Sequence, residues 1–286
     1  MMKLQNGRKI FIRKKRKFSL VIAIIVVLIC SASYMSYKIY MSKRLANNTI
    51  NSNKDTTPKP STNPNMNLRE SKVSPEEPST DSSTINVYKP DGRKIAYLTF
   101  DDGPSPKTTP AILKTLDQYN IKATFFLIGS MAIRYPQLVK MEAEDGQSIG
   151  NHTYSHIYKY IYSDTNNFIN DVNKCDTVLK SILGKNFNSK LLRFPGGSFG
   201  HKLAPFRVAI KNVGYHYVDW NDQTGDSDEH NVPIDKLLNN LKNNTKGKEH
   251  VVVLMHDAPD KQTTVQELPQ VIDYLKAEGY SFNTLK

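Results

Sequence analysis

From about residue 86 to the C-terminus, short apolar runs alternate with amphipathic helical patterns, and this alternation constrains the fold more than any other feature. Strand candidates lie at 94–100, 123–128, 147–151, 190–194, 215–219, 250–255 and 281–284. Helical patterns fall between them near 108–119, 133–145, 163–183, 204–213, 233–243 and 264–278. The last is the clearest: Val265, Leu268, Val271, Ile272 and Leu275 form one stripe, and Gly279 ends it. Strands separated by helices pair in parallel, because the helix is the crossover that parallel pairing requires. About seven such repeats predict an α/β domain built as a closed or nearly closed (β/α) barrel. In such barrels chemistry gathers at the C-terminal ends of the strands.

The chain before residue 86 has a different character. The formal charge is +12 over 286 residues, and residues 1–17 supply +8 of it with no acid among them. Residues 18–37 carry no charged side chain. About 20 such residues at 1.5 Å rise cross a hydrocarbon layer ~30 Å thick. A basic cluster ahead of the span keeps the N-terminus cytoplasmic and places the remainder outside. We therefore expect a transmembrane anchor at 18–37 behind a basic cytoplasmic segment at 1–17. A cleaved signal peptide is the competing reading, with Leu20–Cys30 as its apolar part and Ser31-Ala32-Ser33 as a cleavage site. Residues 38–85, rich in Asn, Ser, Thr, Pro and Lys, read as a disordered stalk. Its r.m.s. span is roughly 40 Å for ~47 residues. Residues 86–286 then form the working domain, where charges nearly cancel and no basic nucleic-acid footprint appears. With Cys30 in the apolar span, Cys175 is alone in the exported part.

Several strand candidates deliver reactive side chains. Ile95-Ala96-Tyr97-Leu98 leads through Thr99-Phe100 into adjacent carboxylates, Asp101 and Asp102, before Gly103-Pro104 turns the chain. Such carboxylates repel and lose water, so a cation or a shared proton is needed to offset the cost. After the strand at 147–151 come His152 and His156. Imidazoles at that spacing share a face if the turn is helical, which suits a divalent metal. Thr153 stands where HExxH zinc proteases have Glu. The next strand ends in Arg193, a planar fork suited to orienting a carboxylate, followed by Phe194-Pro195-Gly196-Gly197. The glycine pair lets backbone N–H groups point into a cavity, as an oxyanion site requires. The sole tryptophan, Trp220, sits among Asp219, Asp222 and Asp226, an arrangement that suits sugar binding. Val251-Val252-Val253-Leu254-Met255 delivers His256, a candidate acid/base group, and Asp257. Each signal is weak alone, but strand ends of one barrel converge in space.

In this order the TFDDGP, HxxxH, RxPxG-like, acidic/Trp and LxH series resembles the polysaccharide deacetylases of carbohydrate esterase family four, the NodB-like domain, over about residues 90–286. The resemblance implies a metal-dependent hydrolase that removes acetyl groups from N-acetylated sugars on a distorted (β/α) barrel. It implies Asp102, His152 and His156 as ligands of a divalent metal, Zn2+ first, with Co2+, Ni2+ or Mn2+ also compatible. It implies Asp101 as general base, Arg193 as the group orienting it, and a backbone N–H near Gly196 for the oxyanion. His256 would be the general acid, Asp226 the carboxylate holding it charged, and Leu254 the lining for the acetyl methyl. Two positions depart from the family pattern. Gly196 stands where many members have Tyr, and Ser227 where they have Trp. Trp220 is then a groove-wall candidate in another place, and Asp222 is the alternative to Asp226.

Anchor, stalk and resemblance together lead us to expect a monomeric, wall-facing deacetylase at the cell membrane. The expected substrate is N-acetylglucosamine in peptidoglycan, with no nucleic-acid partner. The alternatives are a deacetylase of N-acetylmuramic acid or another surface polysaccharide, and a non-catalytic glycan-binding wall protein.

Overall fold

The computed structural model describes residues 87–286. The segments at 1–17, 18–37 and 38–85 lie outside them. Among the described residues no helix is long and apolar enough to cross a membrane.

Strand and helix alternate along the domain. β1 (Ile95–Asp101) leads to α1 (Thr108–Gln118), β2 (Thr124–Leu127), α2 (Gly129–Arg134), α3 (Pro136–Glu144) and β3 (Ser148–Asn151). There follow α4 (Tyr158–Ile161), α5 (Thr165–Leu183), β4 (Leu191–Leu192), α6 (Ala204–Asn212), β5 (His216–Tyr217) and β6 (Asp222–Gln223). The domain ends with α7 (Ile234–Thr245), β7 (His250–His256), α8 (Gln262–Ala277) and β8 (Ser281–Phe282).

Every ladder is parallel, and seven strands run in the order β5-β4-β3-β2-β1-β7-β6, with β8 attached to the start of β1. The sheet curls into a half-barrel. The nearly closed barrel expected from the repeats is not completed by a ladder, since none joins β5 to β6 among the described residues. The chain spans that gap itself: Val218 N–H donates to Leu192 on one side and Asn221 N–H to Val252 on the other.

β1 is the axis of this sheet, and all its residues are buried. Period-two alternation splits it between two cores. Ala96, Leu98 and Phe100 face the helix layer with Ile112, Leu116, Val271 and Leu275. Ile95 and Tyr97 face inward with Phe126, Leu191 and Val252. A parallel strand covered on both faces must be apolar throughout, which is why this run reads as a continuous hydrophobic stretch. Asp101, at the end of the same inward series, is buried as well. The register sets Asp101 beside His256 on β7 and Thr99 beside Leu254.

One helical expectation changes in detail and another holds. The pattern at 133–145 is the C-terminal part of a broken pair, because Pro136 lacks the N–H that would carry α2 into α3 and instead starts a new helix at its first position. α5 starts as its sequence suggests: the Asp164 carboxylate accepts from Asn166 N–H at 2.7 Å, and Gly184 follows its last residue.

Candidate metal and acid–base centre

The end of β1 divides its two carboxylates between two roles. Asp102 has φ 74°, which turns the chain sharply where the strand ends, and both carboxylates approach His152 Nε2, Asp102 at 3.5 Å and Asp101 at 3.8 Å. Gly103 is required next, since a β-carbon there would overlap the Asp257 carboxylate.

His152 and His156 are brought together by a loop and not by the helical turn their spacing suggested. Thr153 and His156 have φ 64° and 55°, and the two imidazole centroids lie 4.9 Å apart. Left-handed non-glycine residues cost energy and persist only where the surroundings hold them. Here Asp171, buried on α5, accepts from the N–H groups of both Tyr154 and Ser155 at 2.8 Å. Asn151 Oδ1 takes the Thr153 N–H at 2.8 Å.

The state of His152 follows from its partners. Its Nδ1 lies 2.9 Å from the Arg193 carbonyl, which can only accept, so Nδ1 carries the proton. Burial, opposed by the Asp102 charge, holds its pKa down to about 3. The ring is therefore neutral, and its Nε2 lone pair points at Asp102 Oδ1, 3.5 Å away. His156 Nε2 approaches the same oxygen at 3.3 Å. Asp102 Oδ1 is buried and has no hydrogen-bond partner. The unprotonated His152 Nε2 faces this carboxylate oxygen with no proton between them, an arrangement that a cation would relieve. The ligand atoms of Asp102, His152 and His156 lie within 4.8 Å of one another, and two imidazoles with one carboxylate match the ligand set of an open catalytic metal site.

Asp101 lies alongside, with Oδ2 3.8 Å from His152 Nε2 and Oδ1 accepting from Arg193 Nη1 at 3.0 Å. Burial raises its pKa, opposed by the charges of Arg193 and His256. Arg193 is wholly buried. Its Nη1 also donates to Thr99 Oγ1 at 2.6 Å, its Nε to the Val218 carbonyl at 3.1 Å and its Nη2 to the Asp219 carbonyl at 3.0 Å. The guanidinium lies 4.2 Å over the Phe126 ring. A buried cation must be neutralised and hydrogen-bonded; Asp101 supplies the charge, and these acceptors take four of the five guanidinium N–H groups.

His256 completes the rim. Its Nδ1 pairs with Asp226 Oδ1 at 2.7 Å, while Asp226 Oδ2 accepts from the His256 N–H at 2.7 Å and from Thr264 Oγ1 at 2.8 Å. Burial alone would lower the His256 pKa. The hydrogen bond and charge of Asp226, aided by Asp101 and Asp102, outweigh it and push the value up to about 9. Asp222 stands elsewhere, with Oδ2 taking the Thr245 hydroxyl at 2.6 Å.

These are the features of a known group of proteins. A sequence profile described as polysaccharide deacetylase matches residues 88–218. A peptidoglycan-N-acetylglucosamine deacetylase of Bacillus cereus is 37% identical over 203 residues, covering 68% of this chain and 88% of that one. The chain belongs to the polysaccharide deacetylase family. Solved structures agree on the fold. A CE4 esterase of Streptococcus mutans superposes with TM-score 0.64 at 33% identity, covering 68% of this chain and 87% of that one. A polysaccharide deacetylase from Bacillus cereus gives 0.61 at 32% identity, covering 68% and 93%.

In this deacetylase domain, direct contacts join Asp101, Asp102, His152, His156 and Arg193, and His256 with Asp226 stands across the β1–β7 ladder. Leu254 lies buried on the inward face of β7. Trp220 is half-buried, 5.9 Å from the Arg193 guanidinium and edge-on to Phe199. Gly196, with φ 74°, lies beneath the Tyr158 ring. Sequence reasoning missed Thr99, Asp171, Thr264 and Tyr158. Asp171 did carry a signal. It falls on the buried stripe of α5 with Phe168, Val172 and Cys175, where a charge has no place unless it is paired.

Proposed function

We propose that this deacetylase removes the N-acetyl group from N-acetylglucosamine of peptidoglycan, with Zn2+ held by Asp102, His152 and His156. The observation that carries the reading is the convergence of the His152 and His156 imidazoles on the unpartnered, buried Asp102 oxygen between an Asp101–Arg193 pair and a His256–Asp226 pair. When bound, such a metal polarises the amide carbonyl and acidifies water.

The chain's own residues supply the remainder. Arg193 holds Asp101 Oδ1, leaving Oδ2 to take the proton of the attacking water. Burial raises the proton affinity of Asp101 and so improves it as a base. No hydrogen bond among the described residues uses the Gly196 N–H, which is available to the developing oxyanion. Asp226 engages His256 Nδ1, so Nε2 is the atom that delivers a proton to the departing amine. An amine leaves only when protonated, and a His256 pKa of about 9 keeps that proton in place at neutral pH. Leu254 provides apolar surface for the acetyl methyl.

The peptidoglycan assignment is supported by the Bacillus cereus relative, itself described as a peptidoglycan-N-acetylglucosamine deacetylase. The basic segment at 1–17 and the uncharged span at 18–37 support a membrane-anchored enzyme whose domain at 86–286 works in the cell wall. The test is acetate release from peptidoglycan and N-acetylglucosamine oligomers by the full chain, metal-stripped and zinc-restored, beside Asp101→Asn. Zinc-dependent release that Asp101→Asn abolishes supports the reading. Zinc binding with no release from either substrate refutes it.

A further inference from the structure

Two exposed aromatic rings flank the glycine pair next to the metal site. Tyr158, on α4, is 49% exposed, and its ring stands edge-on to His156 with centroids 5.3 Å apart. A β-carbon on Gly196 would lie 2.9 Å from Tyr158 Oη, so this ring occupies the space a side chain there would fill. Phe199 is 57% exposed and stands edge-on to Trp220, with centroids 5.3 Å apart. A β-carbon on Gly197 would overlap the Phe199 ring and lie 3.1 Å from Trp220 Cη2. The floor between the rings is thus bare backbone, with Tyr158 on the His156 side and Phe199 on the Trp220 side.

Neither ring is explained by packing alone. Phe199 wets more than half its surface, and the Tyr158 hydroxyl makes no hydrogen bond among the described residues. Exposed apolar area beside a polar centre marks a binding surface. A pyranose chain offers a matching surface, with apolar C–H faces for rings and hydroxyl rims for a phenol.

We propose that Tyr158 and Phe199 are substrate-positioning residues that hold an extended glycan across the Gly196–Gly197 floor, Tyr158 on the reacting sugar and Phe199 on a neighbouring one. The division follows from contact: the Tyr158 ring packs against the His156 ring, whereas the Phe199 ring packs against Trp220. The inference rests on the glycan-deacetylase reading and adds to it a requirement for chain length.

The experiment is acetate release by the zinc-loaded full chain from N-acetylglucosamine monomer, trimer and pentamer. Fluorescence of Trp220, the sole tryptophan, is followed as pentamer is added. Phe199→Ala should raise KM on the pentamer roughly three- to tenfold at unchanged kcat and leave the monomer rate alone. Tyr158→Phe, which keeps the ring, should lower kcat/KM at every length without altering zinc affinity or Tm. Unchanged length dependence in Phe199→Ala, or full activity in Tyr158→Phe, overturns the inference. If the native chain releases no acetate, the reaction reading fails and fluorescence decides the positioning. A saturable change on pentamer addition, lost in Phe199→Ala, supports it, and no change overturns it.

Discussion

Replacing Asp226 by Asn should collapse the proton affinity of His256. In the folded domain burial pulls the His256 pKa down, yet Asp226 at 2.7 Å, with Asp101 and Asp102 behind it, brings it to about 9 from 6.5. At ~1.4 kcal/mol per tenfold in proton affinity, that rise is on the order of 3 kcal/mol. Asn keeps the shape and the acceptor oxygen but removes the charge, so burial prevails and His256 should titrate below 6.5. The assay is an NMR titration of the His256 ring protons in metal-free native and Asp226→Asn proteins. The sign for stability follows from linkage. A histidine whose pKa is raised on folding contributes fully below pH 6.5, and the contribution is lost as pH rises through about 9. The stability gap between native and variant should therefore narrow across that interval, and the alkaline limb of the native rate profile should move to lower pH in the variant. A native His256 titrating near 6.5, or a variant still titrating near 9, would refute the reasoning.

Two other perturbations test the surroundings of the centre. Asp171→Ala removes the acceptor for the Tyr154 and Ser155 N–H groups, so zinc affinity measured by calorimetry should fall roughly 10–100-fold, while Asp171→Asn, which keeps an acceptor, loses less. Equal affinity in all three proteins would show that the histidine loop holds itself. Glu267 is wholly buried on α8, and burial with the Asp226 charge raises its pKa from 4.5 to about 8. Its favourable contribution, present below pH 4.5, is lost as pH rises through 8, so Glu267→Gln should be more stable than the native chain at pH 9 by on the order of 5 kcal/mol. Urea unfolding at both extremes checks this, and parallel pH curves for the two proteins would contradict it.

Much of the architecture was legible in the chain because it depends on neighbours. The two-residue period of β1, buried on both faces, makes it a continuous apolar run, and the stripe from Val265 to Leu275 makes α8 amphipathic. Parallel strands also share one C-terminal rim, so residues read at separate strand ends had to meet. The contacts within that rim were not legible. Asp222 and Asp226 lie four positions apart and look equivalent in sequence. The β6–β7 register places Asp222 beside Val253 and leaves Asp226 to reach His256. The histidines meet through left-handed residues at Thr153 and His156, and Asp171 supports the loop between them by accepting from Tyr154 and Ser155, 17 and 16 residues away. Arg193, a residue type that normally stays wet, is wholly buried because Asp101 and Thr99, 92 and 94 positions earlier, wait for it inside the sheet. Periodicity is set by residues a few positions apart, so the sequence alone determines which segments become strands and helices. Which carboxylate meets which cation depends on register, loop handedness and burial across nearly a hundred residues, and only the folded sheet decides that.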